Sequence, residues 1–103
     1  MLERDITSKI MRYLKSLPNT FCWKQHGDAY SQSGIPDIIC CFNGIFVAFE
    51  VKTTNGRLTK LQEVTMAKIR EAKGYAFKVT DVEEVKYYLK TLEVHPNDSM
   101  EVY

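Results

Sequence analysis

A single α/β domain with its elements in the order α-β-β-β-α-β-α is what this 103-residue chain predicts. Three observations carry that expectation. Apolar residues recur at helical spacing in three separated stretches. Short β-branched and aromatic runs lie between them, two joined by Asn43-Gly44. Helix and strand then alternate through the second half, the pattern of one layered domain. The length supports one core and not two.

Leu2 to Leu17 read as the first helix, with Leu2, Ile6, Ile10, Tyr13, Leu14 and Leu17 on one stripe and Arg4, Ser8, Arg12 and Lys15 opposite. Pro18-Asn19 ends it. "TFCWKQ", Thr20 to Gln25, is a strand, followed by the polar loop "HGDAYSQSG". Ile35–Phe42 and Ile45–Lys52 form a hairpin around Asn43-Gly44, because both central residues of the favoured tight turn need positive φ. After "TTNGR", a helix from Thr59 to about Lys73 opens on the capping box Thr59-x-x-Gln62, and Gly74 supplies its stop. Tyr75 to Val79 form a short strand. Thr80-x-x-Glu83 then opens the last helix, through Val82, Val85, Leu89 and Leu92. The tail "EVHPNDSMEVY" has no periodicity, so residues 93–103 are expected to be flexible or held in a dimer contact.

Hydrophobic residues at 45% and charged residues at 26% are globular values, and a net charge of +1 excludes a strongly basic nucleic-acid coat. The charged N-terminus lacks an apolar leader, and no stretch approaches a membrane span, so an intracellular, cytoplasmic protein is expected. Cys22, Cys40 and Cys41 read as reduced, small core residues, with Cys40 and Cys41 on opposite faces of a strand. Their spacing to His26 and His95 does not suit zinc.

The charges of the hairpin stand out. A two-residue turn puts Phe42 opposite Ile45, and the same register carried outward puts Asp37 opposite Glu50. Ala48, Glu50 and Lys52 share one face of their strand, so the two acids and the lysine converge. Opposed carboxylates repel, and covered ones are costly without a cation or donors. A divalent metal of the Mg²⁺ or Mn²⁺ type would compensate, those ions preferring oxygen ligands. Alternatively, Lys52 simply neutralises one acid at the open end of the hairpin. Glu3 falls roughly 40° from the centre of the first helix's apolar stripe, where an acid wants a partner, although an acid in a first turn also complements the helix dipole. Gln62 is explained by its capping box or by a role at the same site.

Gly34-Ile35-Pro36-Asp37, the hairpin, Glu50-Val51-Lys52, and Leu58-Thr59-x-Leu61-Gln62 together resemble the PD-(D/E)xK nuclease superfamily, and more closely the compact stand-alone phage or bacterial form of the virus-type replication-repair nuclease domain, VRR-NUC. The likeness runs over nearly the whole chain, from Glu3 in the first helix to the final helix, and implies a single nuclease-like domain over residues 1–103. It implies a restriction-endonuclease-like core, a mixed sheet flanked by helices. It also implies that Asp37, Glu50 and the Val51 carbonyl bind metal, that Lys52 orients or activates water, that Glu3 adds a further carboxylate, and that Gln62 holds substrate or water. One departure is Ser31-Gln32-Ser33, where members often carry a basic residue before the turn.

The expected function is therefore a metal-dependent DNA endonuclease, with Mg²⁺ or Mn²⁺ and no small-molecule cofactor. Lys24, Arg57, Lys60, Lys68 and Lys73 are candidate phosphate contacts, although exposed lysines are more often a solvated face. Similarity to stand-alone members implies branched DNA such as four-way junctions, cut by a homodimer, with Tyr87, Tyr88 and Val94–Tyr103 as contact candidates. A catalytically silent DNA-binding module of the same fold, an adaptor, and a nuclease without structure preference are the alternatives.

Overall fold

A computed structural model describes residues 1–25 and 34–94. Its elements are α1 (Glu3–Lys15), β1 (Thr20–Lys24), β2 (Ile38–Phe42), β3 (Ile45–Val51), α2 (Lys60–Glu71), β4 (Tyr75–Val79) and α3 (Val82–Val94), in the order expected. Four strands form one sheet in the order β1-β2-β3-β4. β1–β2 and β2–β3 are antiparallel, while β3 and β4, joined through α2, are parallel. The sheet is thus mixed and flanked by helices. No helix among the described residues is long and apolar enough to cross a membrane. The loop around Ser31-Gln32-Ser33, His26, and residues 95–103 lie outside the described residues.

The hairpin closes as its dipeptide demands, with φ of 50° at Asn43 and 83° at Gly44. Phe42 faces Ile45 and Ile38 faces Phe49. One face packs Ile38, Cys40, Phe42, Val47, Phe49 and Val51 against Ile6, Ile10 and Leu14 of α1 and Val85, Leu89 and Leu92 of α3. The other face packs Ile39, Ala48 and Ala76 against Met66 of α2. β3 is therefore covered on both sides, and every residue from Val47 to Val51 is buried.

Several boundaries differ from the sequence reading. α1 runs Glu3–Lys15 and not Leu2–Leu17: the amides of Ser16 and Leu17 bond three residues back, to Tyr13 and Leu14, which tightens the chain ahead of Pro18. Leu2 and Glu3 are exposed rather than on the packed stripe, because the first turn runs past the covered core and leaves Met1 and Leu2 largely solvated. The capping box of α2 is present in full. Its stop is not at Gly74: Lys73 takes the left-handed conformation, φ 76°, with its N–H on the Arg70 carbonyl and the Gly74 N–H on that of Ile69. Gly74 serves close packing instead, since a Cβ there would lie 3.0 Å from Ile69 and Phe46 atoms. α3 is capped one residue later than Thr80. Asp81 Oδ1 accepts from the Glu84 N–H at 2.9 Å, and Glu84 Oε1 accepts from the Thr80 N–H at 2.6 Å. Thr80/Glu83 and Asp81/Glu84 have the same spacing, so pattern alone could not choose between them. Cys22 and Cys40 are buried free thiols, but Cys41 is exposed, and burial pushes the Cys40 thiol up to about 12.

Candidate active site

The sheet's hydrogen-bond parity explains how Gly34-Ile35-Pro36-Asp37 works. The Gln25 N–H bonds the Asp37 carbonyl at 2.7 Å, so Asp37, Ile39 and Cys41 direct their backbone polar groups to β1, and Ile38, Cys40 and Phe42 direct theirs to β3. The next residue aimed at β3 is Pro36, which has no N–H to give. The β2–β3 ladder therefore stops at Ile38–Phe49. In its place the Asp37 carboxylate takes the Val51 N–H, Oδ2 to N 2.8 Å. The Lys52 N–H points the other way, to the Val79 carbonyl at 3.0 Å, so the Val51 carbonyl lies on the Asp37 side with no proline N–H to meet it. Gly34 is required for the turn: its φ is 85°, and a Cβ would lie 2.8 to 2.9 Å from Thr65 and Leu61 atoms of α2.

Carried one pair beyond the ladder, this register places Asp37 opposite Glu50 on the face covered by α2. Glu50 is 3% exposed. Burial first, then the charge of Asp37 and a hydrogen bond to it, push the Glu50 carboxyl up to about 8, with Lys52 opposing the rise and Glu3 adding a little to it. Lys52 Nζ lies 3.7 Å from Glu50 Oε2. Gln62 holds the same oxygen at 3.2 Å through Nε2 while its Oε1 accepts from the Thr59 N–H at 2.9 Å. Gln62 thus does two things at once: it closes the capping box of α2, and the amide fixed by that cap holds Glu50.

Asp37, Glu50, Lys52 and Gln62 are brought together, and Glu3 acts on Glu50 only through its charge. It is exposed on the first turn of α1, and the described residues hold no group of three acids, histidines or cysteines suited to a metal ion. Oxygen donors at the site are two carboxylates and the Val51 carbonyl, the chemistry of hard cations. Of the basic candidates, Arg57 and Lys60 lie on the exposed connection from Lys52 into α2. Lys24 faces away: it pairs with Ile38, whose side chain is in the α1–α3 core, and it lines a 450 Å³ groove with Arg12 and Lys15. Lys68 is exposed on the last turns of α2, and Lys73 is exposed just beyond its end. Lys78 was missed by sequence reasoning. It pairs with Glu50 across the parallel ladder, half-buried on the same face, and the alternation Ala76, Lys78 was its signal.

No family model and no curated protein matches the sequence. Solved structures do. The chain superposes with a TM-score of 0.71 on a structure described as a VRR_NUC domain, at 19% identity over 85% of this chain and 94% of that one. A second, described as a VRR_NUC domain protein, gives a TM-score of 0.71 at 14% identity over 88% and 87%. At such identities it is the fold that is shared.

Proposed function

From a chain with the fold of VRR_NUC domains, in which a proline-stopped ladder sets Asp37 against a buried Glu50, we propose a metal-dependent endodeoxyribonuclease that hydrolyses phosphodiester bonds. The observation that carries this reading is Glu50 itself: a carboxyl at 3% exposure, facing a second carboxylate, gains its charge cheaply only when a cation joins the pair. Asp37, Glu50 and the Val51 carbonyl fit Mg²⁺ or Mn²⁺ as an all-oxygen set, and Asp37 and Lys52 are only half-buried, as suits ions that keep water ligands. The ion would supply Lewis-acid charge to the phosphodiester.

The chain's own groups do the rest. Asp37 is held by the Val51 N–H, so its second oxygen keeps a fixed aim. Gln62 orients Glu50 from the capped end of α2. Lys52, tethered beside Glu50, orients the attacking water and places positive charge where the phosphate becomes more negative. Glu3, at the rim, adds a longer-range carboxylate. Arg57, Lys60 and Lys78 contribute phosphate contacts on this side, and Lys24 serves a strand passing over α1. The substrate is DNA, branched forms such as four-way junctions first, cut by a homodimer in a bacterial or phage-infected cell. Tyr87, 68% exposed, remains a contact candidate. Tyr88 is committed inward, stacked on Phe77 at 4.1 Å and 5°.

A silent DNA-binding module is the second reading. It is favoured by one observation: Lys52 and Gln62 already satisfy Glu50, and no buried side-chain polar atom among the described residues lacks a partner. Cleavage of a synthetic four-way junction and of linear duplex, with Mg²⁺, with Mn²⁺ and with chelator, separates the two. Metal-dependent nicking, stronger on the junction, is expected. DNA binding without nicking in either metal would establish the silent module, and equal cutting of linear duplex would remove the junction preference.

A further inference from the structure

We propose that Phe21 and Trp23 form a stacking platform for the bases of an unpaired DNA strand leading to the Asp37–Glu50 site, an inference that rests on the nuclease reading and names the strand it acts on. The register puts these residues where such a strand would pass. Trp23 pairs with Ile39 and Phe21 with Cys41, so both rings point to the sheet face that carries Ala48 and Glu50. The row beyond Trp23 is Gln25, Asp37, Glu50 and Lys78, tied to β1 by the Gln25 N–H on the Asp37 carbonyl. Trp23 is therefore one row, about 7 Å along the strand, from the site.

α2 packs over Ile39, Ala48 and Ala76, with Ile35 and Leu58 beside them, and the β1 edge of this face stays exposed at Phe21 and Trp23 among the described residues. Phe21 is 69% and Trp23 44% exposed, with ring centroids 5.8 Å apart and planes at 45°. The Trp23 indole N–H is taken by Gln25 Oε1 at 3.3 Å, so what Trp23 offers outward is its π face. That suits bases of any sequence. Same-face residues on a strand repeat at about twice the 3.4 Å interval of stacked bases, so one extended strand can set a base on each ring. Gln25 and Asp37 form the row next to Trp23, so a strand stacked on the rings and running toward that row would bring its next phosphate toward Asp37. A second copy of the chain fits less well. Phe21, Trp23 and the half-exposed Phe46 present roughly 300–400 Å² between them, short of the ~800 Å² per partner that a stable interface covers.

Trp23 is the only tryptophan of the chain, so intrinsic fluorescence reads this position alone. The full chain, in chelator to prevent turnover, is titrated with a short oligothymidylate and with blunt duplex of the same length. Saturable quenching by the single strand, several-fold weaker with duplex, is expected. Phe21→Ala should weaken single-strand binding about five- to hundredfold at an unchanged melting temperature. Followed by anisotropy of a labelled strand, Trp23→Phe should retain most of the affinity and Trp23→Ala lose it. Absence of quenching, equal quenching by duplex, or full affinity in Phe21→Ala overturns the proposal. So does a wild-type dimer in sedimentation that Phe21→Ala dissociates, which would make the face a self-association surface. Cleavage measured separately in Mg²⁺ keeps the two readings apart: cutting without quenching removes the platform alone, and quenching without cutting removes the nuclease alone.

Discussion

Replacing Glu50 by glutamine should stabilise the metal-free protein, and by an amount that grows with pH. In the folded chain this carboxyl is pushed up to about 8 from an ordinary 4.5, by burial and then by Asp37. A raised folded pKa means that the fold binds the proton more tightly than the unfolded chain does. Its contribution is therefore fully present below pH about 4.5 and is lost as pH rises through about 8. Linkage puts the loss at about 3 kcal/mol at pH 7 and on the order of 5 kcal/mol above pH 8. Glutamine cannot ionise, keeps an oxygen for Gln62, and escapes the loss. In chelator, thermal unfolding of Glu50→Gln and wild type should nearly coincide at pH 4.5 and separate by roughly 10 to 20 °C at pH 7 to 8, the variant melting higher. A variant that melts below wild type across this range would make the Glu50–Lys52 pair a structural asset and not a strained ligand pair.

Lys52→Ala should abolish cleavage while leaving DNA affinity within a few-fold, one contact among several adding modestly to binding; near-wild-type turnover would remove its role at the phosphate. Gly34→Ala forces an unfavourable φ and a contact below 3 Å with α2, and should cost about 2–3 kcal/mol, read as a fall in urea midpoint. Lys73→Gly relieves a left-handed lysine at the end of α2 and should raise stability by about 0.5–1 kcal/mol in the same assay, with no change in cleavage.

Much of the site could be read from residues alone because the hairpin leaves little freedom. Asn43-Gly44 fixes the turn, the turn fixes the register, and the register sets Asp37 against Glu50. The role of Pro36 was harder to see, since it depends on which strand each backbone group faces, a parity that the Gln25–Asp37 bond reveals. The exposure of Glu3 was harder to read because helical periodicity reports direction and not where the core ends; Met1 and Leu2 beside it are exposed as well. Gly74 misled because glycine marks both left-handed caps and close approaches, and here Lys73 carries the cap and Gly74 the approach. Phe21 and Trp23 read as ordinary strand residues for a similar reason: composition cannot distinguish a buried edge strand from one left bare by a helix two strands away.

A divalent-cation site at the Asp37–Glu50 pair would show itself in calorimetric titration of Mn²⁺ at pH 7, in two buffers of different ionisation enthalpy. With the Glu50 carboxyl pushed up to about 8, most of the population holds a proton there at pH 7, so binding should be saturable and should release close to one proton per ion. Glu50→Gln should lose both the affinity and the proton. Mn²⁺ binding that releases no proton and survives in Glu50→Gln, or no binding at millimolar Mn²⁺, would mean that the pair holds no divalent cation.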